Sequence, residues 1–427
     1  MTDKILIKGG RVIDPASGED SVRDIYVEKH VIVEKFSNDK NISVIDAKGL
    51  LVTPGLIDMH VHLREPGRED EETIESGAQA ACAGGFTTIV CMPNTDPRVE
   101  TRSVVEYITK RASGLPSKVK VVGAISVGST GESLTEMGAM MGAGAVAFSD
   151  DGRPVEDSAL MRRALEYSTV FDLPIISHAE DMALSDGGVM HEGLVSTSLG
   201  LKGIPAAAED IIVARDIILS KLTGAKLHVT HLSTAGSVEL VRAAKKEGLK
   251  VTADVTPHHL VLTADSLKAY DANYKVNPPL REETDRKALM AGLIDGTIDA
   301  IVSDHAPHAA NEKEEEIENA PFGTIGLQTT LPITLTHLIG SKFSLSELIG
   351  KLTKGPAQIL GIDEGTLQPG SEADITIIDT EAKVQIEPSF FLSKSKNSAF
   401  LGMKASGRAV YVILRGRLVL KEGELAG

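Results

Sequence analysis

Gly55-Leu56-Ile57-Asp58-Met59-His60-Val61-His62 is a short apolar run that closes on two histidines two residues apart. Seven more runs of the same character follow: Thr87 to Asn94, Val119 to Ser126, Ala145 to Asp151, Pro174 to Glu180, Lys226 to Ser233, Lys250 to His258 and Ile298 to His308. Their length and apolar continuity suit buried parallel strands. Helix-like segments lie between most of them. Ala208 to Leu222, for example, places Ile211, Ile212, Ala214, Arg215 and Ile218 at helical spacing. Strand and helix alternating eight times over roughly 250 residues predict an α/β chain folded as a TIM (β/α)8 barrel. Its functional site is then expected where the strands end.

Outward from this centre the pattern changes. Residues Ile5 to Ile13, Asp24 to Val27 and Val31 to Val33 read as short strands, as do Asp374 to Ile378, Ala409 to Ile413 and Arg417 to Leu420. Neither end carries enough strands for a stable sheet of its own. The expectation is a small composite, sandwich-like β-domain built from residues 1–52 plus 360–427, with the barrel at 53–359.

Bulk properties limit the function classes. Of 427 residues, 42% are hydrophobic and 24% charged, which is globular composition. A net charge of -16 argues against a nucleic-acid surface. It leaves room for an anionic small substrate, because one buried arginine can bind a carboxylate whatever the total charge. Two cysteines, Cys82 and Cys91, cannot form a disulfide framework in so long a chain. They read as buried thiols in a reducing compartment. No transmembrane run is visible, and Met1-Thr2-Asp3-Lys4-Ile5 lacks a signal-peptide core. The expected location is cytoplasmic, with no membrane association.

The ends of the runs hold the chemistry. Side chains two apart on a strand share a face, so His60 and His62 can share a metal ion. The fourth run ends Phe148-Ser149-Asp150-Asp151-Gly152, and the fifth ends Ile176-Ser177-His178-Ala179-Glu180. The sixth carries His228-Val229-Thr230-His231, and the eighth Ser303-Asp304-His305-Ala306-Pro307-His308. Any one of these could be an ordinary turn or core residue. Together, His60, His62, Asp151, His178, His231 and Asp304 supply four imidazoles and two carboxylates at strand ends. That is a donor set for two Zn2+ ions, with one carboxylate able to bridge. Metal-activated water suits hydrolysis of an unactivated amide, and Asp304 is placed to pass the proton to the leaving nitrogen.

Several longer motifs resemble the dihydroorotases of the cyclic amidohydrolase superfamily. They are Asp58-Met59-His60-Val61-His62-Leu63-Arg64-Glu65-Pro66-Gly67, Met92-Pro93-Asn94-Thr95, Phe148 to Gly152, Val255-Thr256-Pro257-His258-His259, Asn277-Pro278-Pro279-Leu280-Arg281, Ser303 to His308, and Ala320-Pro321-Phe322-Gly323. The likeness spans nearly the whole chain. It implies that His60 and His62 bind one zinc and His178 and His231 the other, with Asp304 at the first zinc as acid/base. Many superfamily members bridge with a carboxylated lysine at the end of the fourth strand. The FSDDG segment here resembles the class I, bacterial-type dihydroorotases, in which an aspartate matching Asp151 bridges.

The same resemblance implies that Arg64 and Asn94 hold a substrate carboxylate. Asn277, His308 and the backbone near Phe322 and Gly323 would hold the ring of dihydroorotate or its open form, carbamoyl aspartate, in pyrimidine biosynthesis. It implies a homodimer, and leaves open association with aspartate transcarbamoylase. The rival readings are another cyclic amidase, hydantoinase or allantoinase, and a non-catalytic scaffold for the transcarbamoylase. His228 is expected off the ligand face, His258 and His259 in supporting positions, and His305 is assigned nothing. Ala309 to Ala320 reads either as a solvated acidic face or as a loop that closes over the site.

Overall fold

The computed structural model describes residues 4–426 other than Asp39 and Ser341, so the leader expectation at Met1 to Asp3 lies outside the described residues. Eight parallel strands run in sequence order: β1 (Leu56–Val61), β2 (Phe86–Cys91), β3 (Lys118–Gly123), β4 (Ala145–Phe148), β5 (Ile175–Ser177), β6 (Leu227–Val229), β7 (Val251–Val255) and β8 (Ala300–Ile301). The sheet closes on itself where Val61 bridges His305 and the His62 N–H donates to His305 O at 2.8 Å. The (β/α)8 expectation therefore holds.

Helices cover the outside between successive strands. One of them, Ala207–Thr223, corrects the apolar pattern read from sequence. Its buried face is Ala208, Glu209, Ile212, Val213, Asp216 and Ser220, while Ile211 and Ile218 are 49% and 66% exposed. The two buried acids are there because each serves hydrogen-bond donors. Glu209 accepts from the Ser233 and Thr234 N–H groups at 3.0 and 3.2 Å, and Asp216 from Ser177 Oγ at 2.6 Å.

The barrel is filled, not hollow. Met59, Val90, Met92, Val122, Ala147, Ile176, Ala300 and Val302 pack together, with Ile359 and Leu360 in the same cluster. A register shift between Asp58 and Val61 interrupts the β1–β2 ladder. It lets Met59 join the interior cluster, Val61 join the outer core, and His60 and His62 both reach the ligand end. Asp58 pins this bulge by accepting the His60 N–H at 3.2 Å and the Ser303 N–H at 3.1 Å. Burial pushes the Asp58 carboxyl up to about 7.

Among the described residues, the N- and C-terminal segments feed one nine-stranded sheet. Leu51–Pro54 joins them, pairing parallel with Lys4–Asp14 on one side and antiparallel with Ile375–Gln385 on the other. The chain passes from there through Gly55 straight into β1. Only glycine fits at that step, because a Cβ would lie 2.0 Å from Thr87 Oγ1. Cys82 and Cys91 are free and buried, and burial pushes both thiols up to about 12. Among the described residues no helix is long and apolar enough to cross a membrane.

Candidate metal and substrate site

At the C-terminal ends of the strands, four imidazoles surround one carboxylate. Asp151 Oδ1 lies 3.4 Å from His60 Nε2, 3.7 Å from His178 Nδ1 and 3.6 Å from His231 Nε2, and Oδ2 lies 3.5 Å from His62 Nε2. Asp304 Oδ1 approaches His62 Nε2 at 3.1 Å and His60 Nε2 at 3.6 Å. His60, His62 and Asp151 form one group able to hold a cation. Asp151, His178 and His231 form a second, so Asp151 belongs to both.

The spacing around Asp151 fits shared ions better than direct hydrogen bonds, while His62 Nε2–Asp304 Oδ1 at 3.1 Å and His178 Nδ1–His231 Nε2 at 3.0 Å lie within hydrogen-bond reach. Donors at about 2.1 Å from a common tetrahedral ion stand about 3.4 Å apart. Among the described residues, the buried atoms His60 Nε2 and Asp151 Oδ1 have no hydrogen-bond partner, an arrangement that is costly unless something cationic fills the space. The electrostatics agree. Burial alone would lower the His60 imidazole, yet Asp151, Asp304 and Asp254 carry it up to about 10. Burial would likewise raise Asp151 and Asp304, but the surrounding histidines hold both well below the usual carboxylate range. The two buried carboxylates thus draw positive charge to the centre.

Three of the four rings, those of His60, His62 and His178, are set by the partner on the other nitrogen. Asp254 is fully buried and its carboxylate only accepts. Thr230 Oγ1 therefore donates to it at 3.1 Å and must accept from His60 Nδ1, 2.7 Å away, which leaves the lone pair on His60 Nε2. Asp254 also takes His228 Nε2 at 2.8 Å and the His231 N–H at 2.5 Å. His62 Nδ1 meets Asn94 Oδ1 at 2.8 Å, freeing His62 Nε2 for the centre and Asn94 Nδ2 for a ligand. Glu180 holds His178 Nε2 at 3.2 Å, which turns Nδ1 inward.

Backbone geometry aims these groups. Arg64, His231 and Asp304 all adopt left-handed φ, at 60°, 40° and 46°. Such conformations cost non-glycine residues on the order of 1–3 kcal/mol each and concentrate at functional sites. Asp150 and Asp151, adjacent in sequence, part company. Asp150 accepts the Ile125 N–H at 2.8 Å and ties down the loop after β3, leaving Asp151 to the centre.

Above the cluster lies a cavity of about 230 Å³. His62, Arg64, Asn94, Asp151, His178, His231, Asn277, Asp304, His308, Phe322 and Gly323 line it, with Gly152 and Ala306. The structure so brings together every site residue expected from sequence, His60 lying fully buried beside the others. Arg64 Nε is 3.0 Å from Pro307 O and 3.0 Å from Glu71 Oε2. His308 contacts Phe322 O at 2.7 Å and Glu71 Oε1 at 3.1 Å. Gly323 sits at φ 141°, where a Cβ would fall 2.9 Å from His308 Nε2.

The remaining histidines stay off the cavity. His228 is bound to Thr252 and Asp254, His259 to Thr256 and Pro278 O, and His305 to Glu72. The 309–320 stretch is divided. Glu314, Glu315 and Glu316 face solvent, whereas Ile317 and Ala320 are buried. Lys313 Nζ donates to Pro321 O and Gly323 O, and Lys275 Nζ to Ile317 O.

Sequence reading missed Asp254, Thr230, Glu180 and Glu71. Asp254 had a usable signal, a lone acid inside the apolar run Val251 to Val255.

Known proteins resemble this chain in sequence and in fold. Residues 49–237 match the Dihydro-orotase-like family, and residues 229–420 the Amidohydrolase family. The chain is 50% identical to a dihydroorotase of Pelotomaculum thermopropionicum over 98% of this chain and 99% of that one. It is also 50% identical to a dihydroorotase of Acetivibrio thermocellus, again over 98% of this chain and 99% of that one. Among solved structures, the L-hydantoinase (dihydropyrimidinase) of Arthrobacter aurescens superposes with a TM-score of 0.89 at 27% identity, covering 100% of this chain and 98% of that one.

Proposed function

This chain belongs to the dihydroorotase family, a group of metal-dependent amidohydrolases, and we propose that its cavity interconverts L-dihydroorotate and N-carbamoyl-L-aspartate. The observation that carries this reading is the single carboxylate of Asp151 within 3.7 Å of four inward-turned imidazole nitrogens, beneath a cavity bearing Arg64 and Asn94.

His60, His62 and Asp304 would hold one Zn2+ and His178 and His231 a second, with Asp151 common to both groups. When bound, the ions lower the pKa of water and polarise an amide carbonyl. The protein's own groups do the rest. Arg64 and the free Nδ2 of Asn94 orient the ring carboxylate, since a guanidinium fork matches that group. Asn277 spends Nδ2 on Glu180 at 2.8 Å, so its Oδ1 is left to accept a ring N–H. His308 and the backbone at Phe322 and Gly323 close the other side of the ring. In the hydrolytic direction Asp304 accepts the proton of the attacking water. As the ring C–N bond breaks, it delivers that proton to the departing nitrogen. Ring closure runs the same path in reverse.

The aspartate at the end of β4 supports membership of the class I, bacterial-type group. We further propose a division into residues 1–52 plus 360–427 and residues 53–359, a homodimer, a cytoplasmic location and aspartate transcarbamoylase as the partner to test. The free thiols support the location.

A substrate panel tests the activity. Dihydroorotate should turn over, and hydantoin, dihydrouracil and allantoin, which lack the ring carboxylate, should not. Turnover of the carboxylate-free rings alone would move the chain to the hydantoinase reading. No turnover of any ring would favour the scaffold.

A further inference from the structure

Glu71 lies outside the metal cluster, yet its carboxylate governs two residues that line the cavity. It is 3% exposed. Oε2 holds Arg64 Nε at 3.0 Å, and Oε1 holds His308 Nδ1 at 3.1 Å and Arg68 Nη2 at 3.2 Å. Its own position is fixed, because its backbone N–H donates to Arg68 O at 3.0 Å and its carbonyl accepts Ser395 Oγ at 2.7 Å.

We propose that Glu71 is a positioning residue for recognition of the substrate carboxylate, acting through Arg64 and His308. The inference rests on the reading that those two residues meet the substrate.

The physical case is one of competing partners. Arg64 is buried and faces two carboxylates of the metal cluster, Asp151 and Asp304, whose fields both reach it. A guanidinium with no anchor on its outer edge would turn toward them and cover the cavity floor. Glu71 and Pro307 O hold Nε, and Nη2 lies 3.4 Å from His308 Nε2, so the guanidinium is anchored away from the cluster carboxylates. His308 packs between Glu71 Oε1, 3.1 Å from Nδ1, and Phe322 O, 2.7 Å from Nε2, and as a neutral imidazole it donates to one of them. One carboxylate therefore sets the angle of both residues. The same three groups, Glu71, His308 and Glu312, could geometrically gather around a cation. Arg64 and Arg68 already supply that positive charge, with Arg68 Nη2 also 2.7 Å from Glu312 Oε1.

The test is a double-mutant cycle on the zinc-loaded full-length protein, measuring KM, kcat and metal content for E71Q, E71D, R64M and E71Q/R64M. E71Q is expected to raise KM for dihydroorotate about tenfold, with kcat within about threefold of the parent and metal content unchanged. E71D, which keeps the charge, should recover part of that loss. In the R64M background E71Q should add much less than it does alone, because its effect passes through Arg64. An unchanged KM, a fall in kcat with loss of metal, or full additivity with R64M would overturn the proposal. If R64M itself leaves KM unchanged, the assignment of Arg64 to the substrate fails and takes this inference with it. If R64M raises KM and E71Q does not, only the role of Glu71 fails.

Discussion

Replacing Asp254 by asparagine should weaken metal binding without replacing a single metal ligand. Asp254 is fully buried and accepts from Thr230, His228 and the His231 N–H. Through Thr230 it dictates that His60 carries its proton on Nδ1 and its lone pair on Nε2. An asparagine keeps one acceptor oxygen and turns an NH2 group toward groups that were donating. If that NH2 faces Thr230, the hydroxyl reverses and donates to His60 Nδ1, which moves the ring proton to the nitrogen aimed at the cluster. Losing one charge-assisted hydrogen bond is worth about 1.5–3 kcal/mol, or roughly a 10- to 150-fold change in an equilibrium constant. Supporting partners of metal-binding histidines typically contribute about 10- to 100-fold in affinity. We therefore expect zinc affinity to fall by about 10- to 100-fold, with kcat at saturating zinc within about threefold of the parent. Competition against a chromogenic chelator measures the first quantity, and a steady-state assay with excess zinc the second. Affinity unchanged within about twofold would refute the proton assignment on His60 and the relay behind it.

Further outcomes follow from the same geometry. D304N should lower turnover by on the order of a thousandfold while metal content stays near normal; loss of both would make Asp304 chiefly a structural ligand. R64M should raise KM for dihydroorotate far more than it lowers kcat, with a loss in kcat/KM of about 30-fold or more from a broken buried charge pair. G323A places a Cβ 2.9 Å from His308 Nε2 at a φ of 141°. It should raise KM at least about fivefold and lower the melting temperature, because both the ring and the strained backbone must shift. Cys82 and Cys91, with thiols pushed up to about 12, should stay unlabelled by a maleimide at pH 8 until the protein unfolds.

The features legible in sequence are those carried by position along a single strand. His60, His62, Asp151, His178, His231 and Asp304 announce themselves because each closes an apolar run, and strand ends are where a barrel places its chemistry. The eightfold alternation was legible for the same reason. Parallel register was not. Asp254 meets Thr230 because β6 and β7 pair with His228 opposite Thr252, a relation between residues 24 apart in the chain that no local pattern encodes. Glu71 was hidden for a different reason. In Arg68-Glu69-Asp70-Glu71-Glu72 it resembles one more solvated acid, and only the fold buries it against Arg64 and His308. The helix at Ala207–Thr223 shows the converse error, since Ile211 and Ile218 keep helical spacing yet face solvent.

The central claim is a metal-dependent cyclic amide interconversion at the Asp151 cluster. The most direct test assays purified protein for interconversion of dihydroorotate and carbamoyl aspartate with and without zinc, with metal content measured on the same sample. The account predicts turnover that disappears with chelator, returns with zinc, and tracks about two ions per chain. Turnover that persists in metal-free protein, or a fully loaded protein that leaves dihydroorotate intact, would contradict it.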